Sequence, residues 1–184
     1  MIITICRECG CDADDIGIKL GQRLNIPCYN RASLLELARE KGIYEKYPYF
    51  FSEIPADEVD TFTTDHRKEP RLAMSAVISG DCVVVGRCGN YALKDREDMV
   101  SVFLTGDKEL RIANMAAKRE VSTKKAKDIV ERTDNRRREY QRFYTGEDWG
   151  KAGNYDICLD VMKLGIDGTI AMIESYLRQR DILK

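Results

Sequence analysis

The chain has 184 residues, 43% of them hydrophobic and 33% charged, with a formal net charge of −1. That length suits a single domain over residues 1–184 with a good core. No apolar run approaches the roughly 18 residues of a membrane span, and the start lacks the basic region and cleavage site of a signal peptide, so a cytoplasmic protein without a membrane partner is expected.

In chain order, five short apolar runs read as strands: Ile2 to Cys6, Pro27 to Tyr29, Cys82 to Val85, Val100 to Leu104 and Tyr155 to Leu159. "CVVV" is continuous and β-branched, which suits a strand buried on both faces. Between the runs lie helical patterns at about Asp14 to Leu24, Ala32 to Lys41, Lys68 to Ser79, Asp107 to Arg119, Thr123 to Arg142 and Ile166 to Arg180. Strands alternating with helices predict an α/β fold with a five-stranded parallel sheet, its first strand central between the third and fourth. Ligands of such sheets sit at the carboxyl ends of the strands, so the loops after Cys6, Tyr29, Val85, Leu104 and Leu159 are the place to search. The least regular stretch, residues 43–66, reads either as an insertion packing its aromatics on the core or as cover for a substrate or a homodimer contact.

The seven cysteines, Cys6, Cys9, Cys11, Cys28, Cys82, Cys88 and Cys158, are an odd set scattered through apolar segments. That pattern predicts free thiols, most of them small core residues. "CRECGC" has a C-x2-C-x-C spacing, but no second pair follows at zinc-ribbon distance and the one histidine is His66, so no metal site is expected. Charge is uneven along the chain: residues 1–66 hold 7 Lys/Arg against 12 Asp/Glu, and residues 107–142 hold 12 against 7. A basic segment of this kind is compatible with an anionic ligand or with a solvated helical face.

Three clusters can carry chemistry. A strand, a turn containing Gly10 and a helix at the start of the chain have the geometry of a phosphate-binding loop, where backbone N–H groups and the positive helix end face an anion. There is no G-x-x-x-x-G-K-[ST] and no lysine in the loop, and Asp12, Asp14 and Asp15 make the helix start acidic, so carboxylates can fill the anion's electrostatic niche. The second cluster is "GRCGNY" (86–91), in which flanking glycines let the chain turn while Arg87 points its planar fork at the crevice; the alternative is a surface arginine in a turn. In the third, Ser122 reads as the N-cap of a helix with an apolar stripe of Ala126, Ile129, Val130, Thr133 and Tyr140. Arg137 falls near the middle of that stripe, with Arg132 and Arg136 at its edge, and needs either an exit to solvent or an anionic partner such as Asp134 or a bound phosphate.

With "GRC" after the third strand, "R-x-x-D-x-R-R" in an arginine-rich hairpin over 120–150, and "YTGEDWG" before "NYDICLD", the chain resembles the cytidylate kinase-like family of P-loop nucleoside monophosphate kinases. The resemblance implies a three-layer α/β/α P-loop kinase fold with a helical lid. It also implies ATP and Mg²⁺ as cofactors, and phosphoryl transfer to CMP, dCMP or a similar small acceptor. The family's Ser-Arg-Glu-x-Gly-Ser-Gly-Gly loop corresponds to Cys6, Arg7, Glu8, Cys9, Gly10, Cys11, Asp12 and Ala13. Arg7, Gly10, Cys11, Asp12, Ala13, Asp14 and Asp15 are therefore the implied cofactor-binding positions, and Asn30 stands where an aspartate usually lies near the monophosphate. Arg87, Arg132, Arg136 and Arg137 are implied to gather round the phosphates as catalytic groups, with Asn30, Arg87 and Asp134 on the substrate.

The departures set a problem. Asp12 and Ala13 replace two glycines, and an unpaired carboxylate about 4 Å from a phosphate charge costs on the order of 4 kcal/mol at an effective dielectric near 20. Two readings stay open: a phosphotransferase with a degenerate loop, and a non-catalytic nucleotide- or anion-binding relative that serves as a sensor or partner-binding protein. A third, nucleic-acid binding by the basic hairpin, needs a continuous basic surface, which a pI near 6.0 argues against.

Overall fold

Ile2–Arg7 (β1) pairs in parallel with Cys82–Val85 (β3) on one side and with Met99–Thr105 (β4) on the other. This computed structural model describes residues 1–52 and 66–183. Cys28–Tyr29 (β2) and Ile157–Asp160 (β5) complete a parallel sheet in the order β2-β3-β1-β4-β5, with β1 central as expected. Side chains alternate across it, as the two-residue strand period requires. Ile3, Ile5, Val83 and Val85 face one apolar cluster, and Ile2, Cys82 and Val84 face another.

The first cluster is closed by Ala13–Leu24 (α1) and Val161–Gln179 (α8), which bring in Ile16, Leu20, Ile170, Ile173 and Leu177. The second is closed by Arg31–Glu40 (α2), the short Pro48–Ser52 (α3) and Glu69–Val77 (α4), through Leu34, Phe50, Phe51 and Met74. Helices on both faces of a parallel sheet give three layers. A one-turn helix, Gly89–Ala92 (α5), follows β3. Lys108–Arg119 (α6) and Thr123–Thr145 (α7) form the basic hairpin, with Ser122 capping α7 at Lys125 N. The hairpin's own apolar seam, Ile112, Ala126 and Val130, includes Cys9 from the loop after β1. That contact seats the hairpin on the loop.

Boundaries differ from the sequence reading where a cap or glycine decides them. β5 starts at Ile157 rather than Tyr155, and α8 starts at Val161, capped by the Asp160 carboxylate, rather than at Ile166. A left-handed Gly165 (φ 67°) interrupts α8, and the predicted start is the part beyond that break. Residues 43–66 contribute a 3-10 turn at Tyr44–Lys46, α3 and the buried His66; residues 53–65, which hold the acidic half of that stretch, lie outside the described residues. No helix among the described residues is long and apolar enough to cross a membrane.

Candidate functional site

The loop after β1 turns at Gly10 (φ 93°), where a Cβ would stand 2.6 Å from the Arg111 carbonyl oxygen, so the position tolerates only glycine. Cys11 and Ala13 point down into the core, 1% and 4% exposed, while Asp12 and Asp14 point up. What Cys11 and Ala13 offer a phosphate is therefore backbone N–H, and burial pushes the Cys11 thiol up to about 12. The cysteines of C-x2-C-x-C part company: Cys6, Cys9 and Cys11 each join a different apolar cluster. All seven are free, with Cys158 exposed and Cys28 half-buried.

Asp12 is not the unpaired carboxylate that the repulsion argument assumed. Its Oδ1 accepts from Lys118 Nζ at 2.8 Å and its Oδ2 from Asn114 Nδ2 at 2.7 Å, and Lys118 also bonds Asp15. Partial burial pulls the Lys118 ammonium down, but its bonds to Asp12 and Asp15 outweigh that and hold it above the ordinary lysine range. The sum of about 4 kcal/mol is thus offset from within the protein by a lysine on α6. Asp14 is exposed and makes no ion pair among the described residues.

Beneath this pair lies a buried ionic knot. Arg111, 5% exposed, donates from NH1 to Asp134 Oδ2 (2.8 Å) and to the Cys9 carbonyl (2.9 Å), from Nε to the Gly106 carbonyl (3.0 Å), and stands 3.4 Å from Glu8 Oε2. Asp134 Oδ1 in turn accepts the Cys9 N–H at 2.7 Å, and Glu8 accepts from Thr105 Oγ1 at 2.6 Å. So Asp134, also 3.9 Å from Arg137, is engaged with the loop backbone and Arg111. Arg111, Asn114 and Lys118 escaped the sequence reading. Arg111 sits beside Ile112 in the apolar seam of α6, the same signal that singled out Arg137 on α7.

The second turn, after β3, is tighter. Gly86 (φ 88°) hydrogen-bonds to Ile5 and would place a Cβ 2.5 Å from an Arg7 guanidinium nitrogen. Arg87 (φ 58°) and Cys88 (φ 51°) follow in the left-handed region, which costs a residue other than glycine roughly 1–2 kcal/mol. Strain of this size at a strand's carboxyl end fixes one direction for Arg87, whose NH1 donates to the Phe50 carbonyl at 3.0 Å and meets Tyr140 Oη at 3.4 Å.

Between this turn and α7 opens a cavity of about 440 Å³. Arg7, Arg31, Arg87, Arg136 and Arg137 line it, with Glu139 as the single carboxylate residue among the described lining residues. Arg137 NH1 also donates to the Arg7 carbonyl at 3.1 Å. The other wall is aromatic, from Tyr140, Phe143, Tyr144 and Trp149. Burial raises the Tyr140 and Tyr144 phenols far above their usual range, so both stay protonated. Of the expected residues, Arg7, Arg87, Arg136 and Arg137 meet here. Arg132 is exposed and does not line the cavity, and Asn30 caps α2, accepting from Ala32 N and Ser33 N at 3.0 and 3.1 Å while the neighbouring Arg31 reaches the cavity.

A β1–loop–α1 turn, a parallel sheet of this order and an arginine-rich hairpin describe P-loop kinases in general. The deciding observation is that a family model, the cytidylate kinase-like family, matches residues 2–163. The chain belongs to the cytidylate kinase-like family. It is 27% identical to an uncharacterized protein from Eubacterium ventriosum ATCC 27560 whose crystal structure superposes with a TM-score of 0.73, covering 97% of this chain and 98% of that one. Shikimate kinase from Bacteroides thetaiotaomicron (13% identity, TM-score 0.53, 97% and 98% covered) and a gluconokinase from Sinorhizobium meliloti 1021 (14%, 0.52, 97% and 95%) share the fold. A search of curated proteins finds no match to the sequence. For a cytidylate kinase-like chain, these findings support a nucleotide or small-molecule kinase-like protein.

Proposed function

We propose that this protein transfers a phosphoryl group from ATP to a nucleoside monophosphate, CMP or dCMP, whose phosphate rests in the arginine cavity. The observation that carries the reading is the convergence of Arg7, Arg87, Arg136 and Arg137 from three separate elements on one cavity at the carboxyl end of β1 and β3. Planar, permanently charged guanidinium groups hold phosphate oxygens bidentately, and a cavity of about 440 Å³ is within the ordinary range for small-molecule sites.

On the donor side, the residues present fit a polyphosphate in part. Gly10 shapes the turn, the first N–H groups of α1 face outward as in any helix start, and Lys118 from α6 offsets part of the carboxylate charge of Asp12 and Asp15 beside them. ATP with Mg²⁺ would bring the transferable phosphoryl group and the neutralising charge, and Asp14 is the loop carboxylate best placed to meet a cation bound through phosphates. Arg136 and Arg137 on α7 would stabilise charge spread over the phosphoryl oxygens, since such transfer relies on positioning and electrostatics. One observation favours the non-catalytic alternative: the Asp134 carboxylate already occupies the Cys9 N–H, in a loop with no lysine of its own.

Following ADP formation from Mg·ATP with and without CMP tests the reading. CMP-dependent ADP release that disappears in Arg137→Ala supports transfer. ATP turnover independent of CMP, or none at any CMP concentration while CMP still binds, turns the assignment to the non-catalytic relative.

A further inference from the structure

The hairpin meets the loop after β1 through the loop's backbone as well as its carboxylates. Arg111 NH1 donates to the Cys9 carbonyl at 2.9 Å, Asn114 Nδ2 to the Gly10 carbonyl at 2.8 Å, and Arg137 NH1 to the Arg7 carbonyl at 3.1 Å. Asp134 does the reverse, its Oδ1 accepting the Cys9 N–H at 2.7 Å. Among the described residues it is the one hairpin side chain that takes a donor from this backbone. A phosphate bound at such a turn takes N–H groups and leaves carbonyls alone, because its oxygens repel theirs. Of the four contacts, that of Asp134 alone competes with it.

The Asp134 carboxylate is held as a bound anion would be, by a backbone N–H and by the Arg111 guanidinium at 2.8 Å, with Arg137 at 3.9 Å. Its departure from the N–H orphans neither cation nor carboxylate. Arg111 keeps the Cys9 and Gly106 carbonyls and stands 3.4 Å from Glu8 Oε2. Asp134 keeps Arg137, three residues on along α7 and so on the same side of the helix. A carboxylate that served only to brace the hairpin would leave a buried charge unpaired when it moved, the usual penalty for breaking a buried ion pair. Here both partners have a second place to go.

Resting on the donor side of the reading above, we infer that Asp134 is an internal stand-in for a phosphate: it occupies the Cys9 N–H, and a polyphosphate binds at the loop by displacing it. The loop is then shut rather than lost. The three carbonyl contacts keep the hairpin seated, so the exchange takes a rotation of the Asp134 side chain toward Arg137 and no opening of the hairpin. Weak binding of a polyphosphate to the resting protein follows from this competition as well as from the loop's own carboxylates.

The test titrates inorganic tripolyphosphate, which carries neither base nor sugar, into isotope-labelled wild type and Asp134→Asn. Affinity at the loop is read from the Cys9 and Gly10 amide resonances, which separates it from binding in the arginine cavity. Asp134→Asn keeps the shape and an acceptor for Cys9 but removes the charge, and should tighten binding at the loop by about tenfold or more, the scale of one charged hydrogen bond. Its melting temperature should fall less than that of Arg111→Ala, because Arg111 keeps its other acceptors. In wild type, the Asp134 carboxyl carbon should shift with the same midpoint as the Cys9 amide, a reading that stands even if the variant fails to fold. Equal or weaker affinity in the variant, or an Asp134 carboxyl that stays put while the Cys9 amide titrates, overturns this inference alone. Tripolyphosphate that moves neither loop amide in either protein, while CMP still binds, overturns the donor loop and this inference with it and leaves the arginine cavity standing.

Discussion

The two turns that feed the site, after β1 and after β3, treat charge in opposite ways. In the first, each carboxylate that meets the loop backbone or replaces a glycine has a partner from α6: Asp12 has Lys118 and Asn114, and Asp134 has Arg111. In the second, Arg87 is held by backbone strain and by the Phe50 carbonyl at the wall of an open cavity shared with four other arginines. One turn pairs its carboxylates with cations from α6, and the other brings five arginines to the wall of one cavity. Charged residues at strand ends therefore say little about ligand binding until it is known which of them the fold has already paired.

Arg111→Ala should have the largest effect of any single change at the first turn. It leaves the Asp134 and Glu8 carboxylates without their buried cation, which typically costs about 3–5 kcal/mol. For a chain of this size that is a fall of order 10 °C in melting temperature, read by circular dichroism. A fall of only a degree or two would mean that the knot is loosely held and the contrast between the turns is overdrawn.

Arg87→Ala acts on the second turn and should spare stability more than binding. Losing a charged hydrogen bond weakens monophosphate binding by at least about 1.5 kcal/mol, roughly tenfold. Unchanged affinity for CMP would remove Arg87 from the site and reduce it to a strained anchor for Phe50.

A subtler pair of changes sharpens the reading of the first loop. Lys118→Met frees the Asp12 charge and should weaken Mg·ATP, while Asp12→Gly with Ala13→Gly, which rebuilds the family's loop, should tighten it. Each shift should be about two- to fivefold, the scale of an exposed ion pair. Combining Lys118→Met with the glycines should bring affinity back toward wild type, because the two charges act as a pair. Additive effects would show that Lys118 and Asp12 meet the donor independently. Melting curves on the same samples separate affinity from the entropy that glycines add to the unfolded chain.

Sheet order and the central place of β1 were legible because each rests on a local pattern, continuous β-branched residues and alternation with helices, whereas the gathering of Arg87, Arg136 and Arg137 was implied by the family resemblance. The pairing of Asp12 with Lys118 was not legible, since it links residues 106 apart and depends on α6 folding back over the loop. Excess carboxylate at residues 1–66 and excess cation at 107–142 pointed to it only in sum. The left-handed Arg87 and Cys88 gave no sign either, because Gly86 and Gly89 on either side are the residues that a tight turn ordinarily uses.

The smallest expected effect concerns thiols. Cys158 is exposed, while burial pushes Cys28 up to about 11 and Cys11 and Cys82 to about 12. Alkylation at pH 8 followed by peptide mass mapping should therefore find Cys158 first and the other three only on unfolding. Prompt modification of Cys11 would show that the first loop opens readily and is not closed on itself.

The central claim is that the arginine cavity, not the acidic loop, is the strong anion site. Calorimetric titration of CMP into wild type without ATP or Mg²⁺ tests it most directly, repeated at low and high salt and with Arg87→Ala plus Arg137→Ala. Saturable one-site binding that weakens with salt and vanishes in the double variant is expected. Binding that persists unchanged in the double variant, or no CMP binding by a wild type that still takes up Mg·ATP, would contradict it.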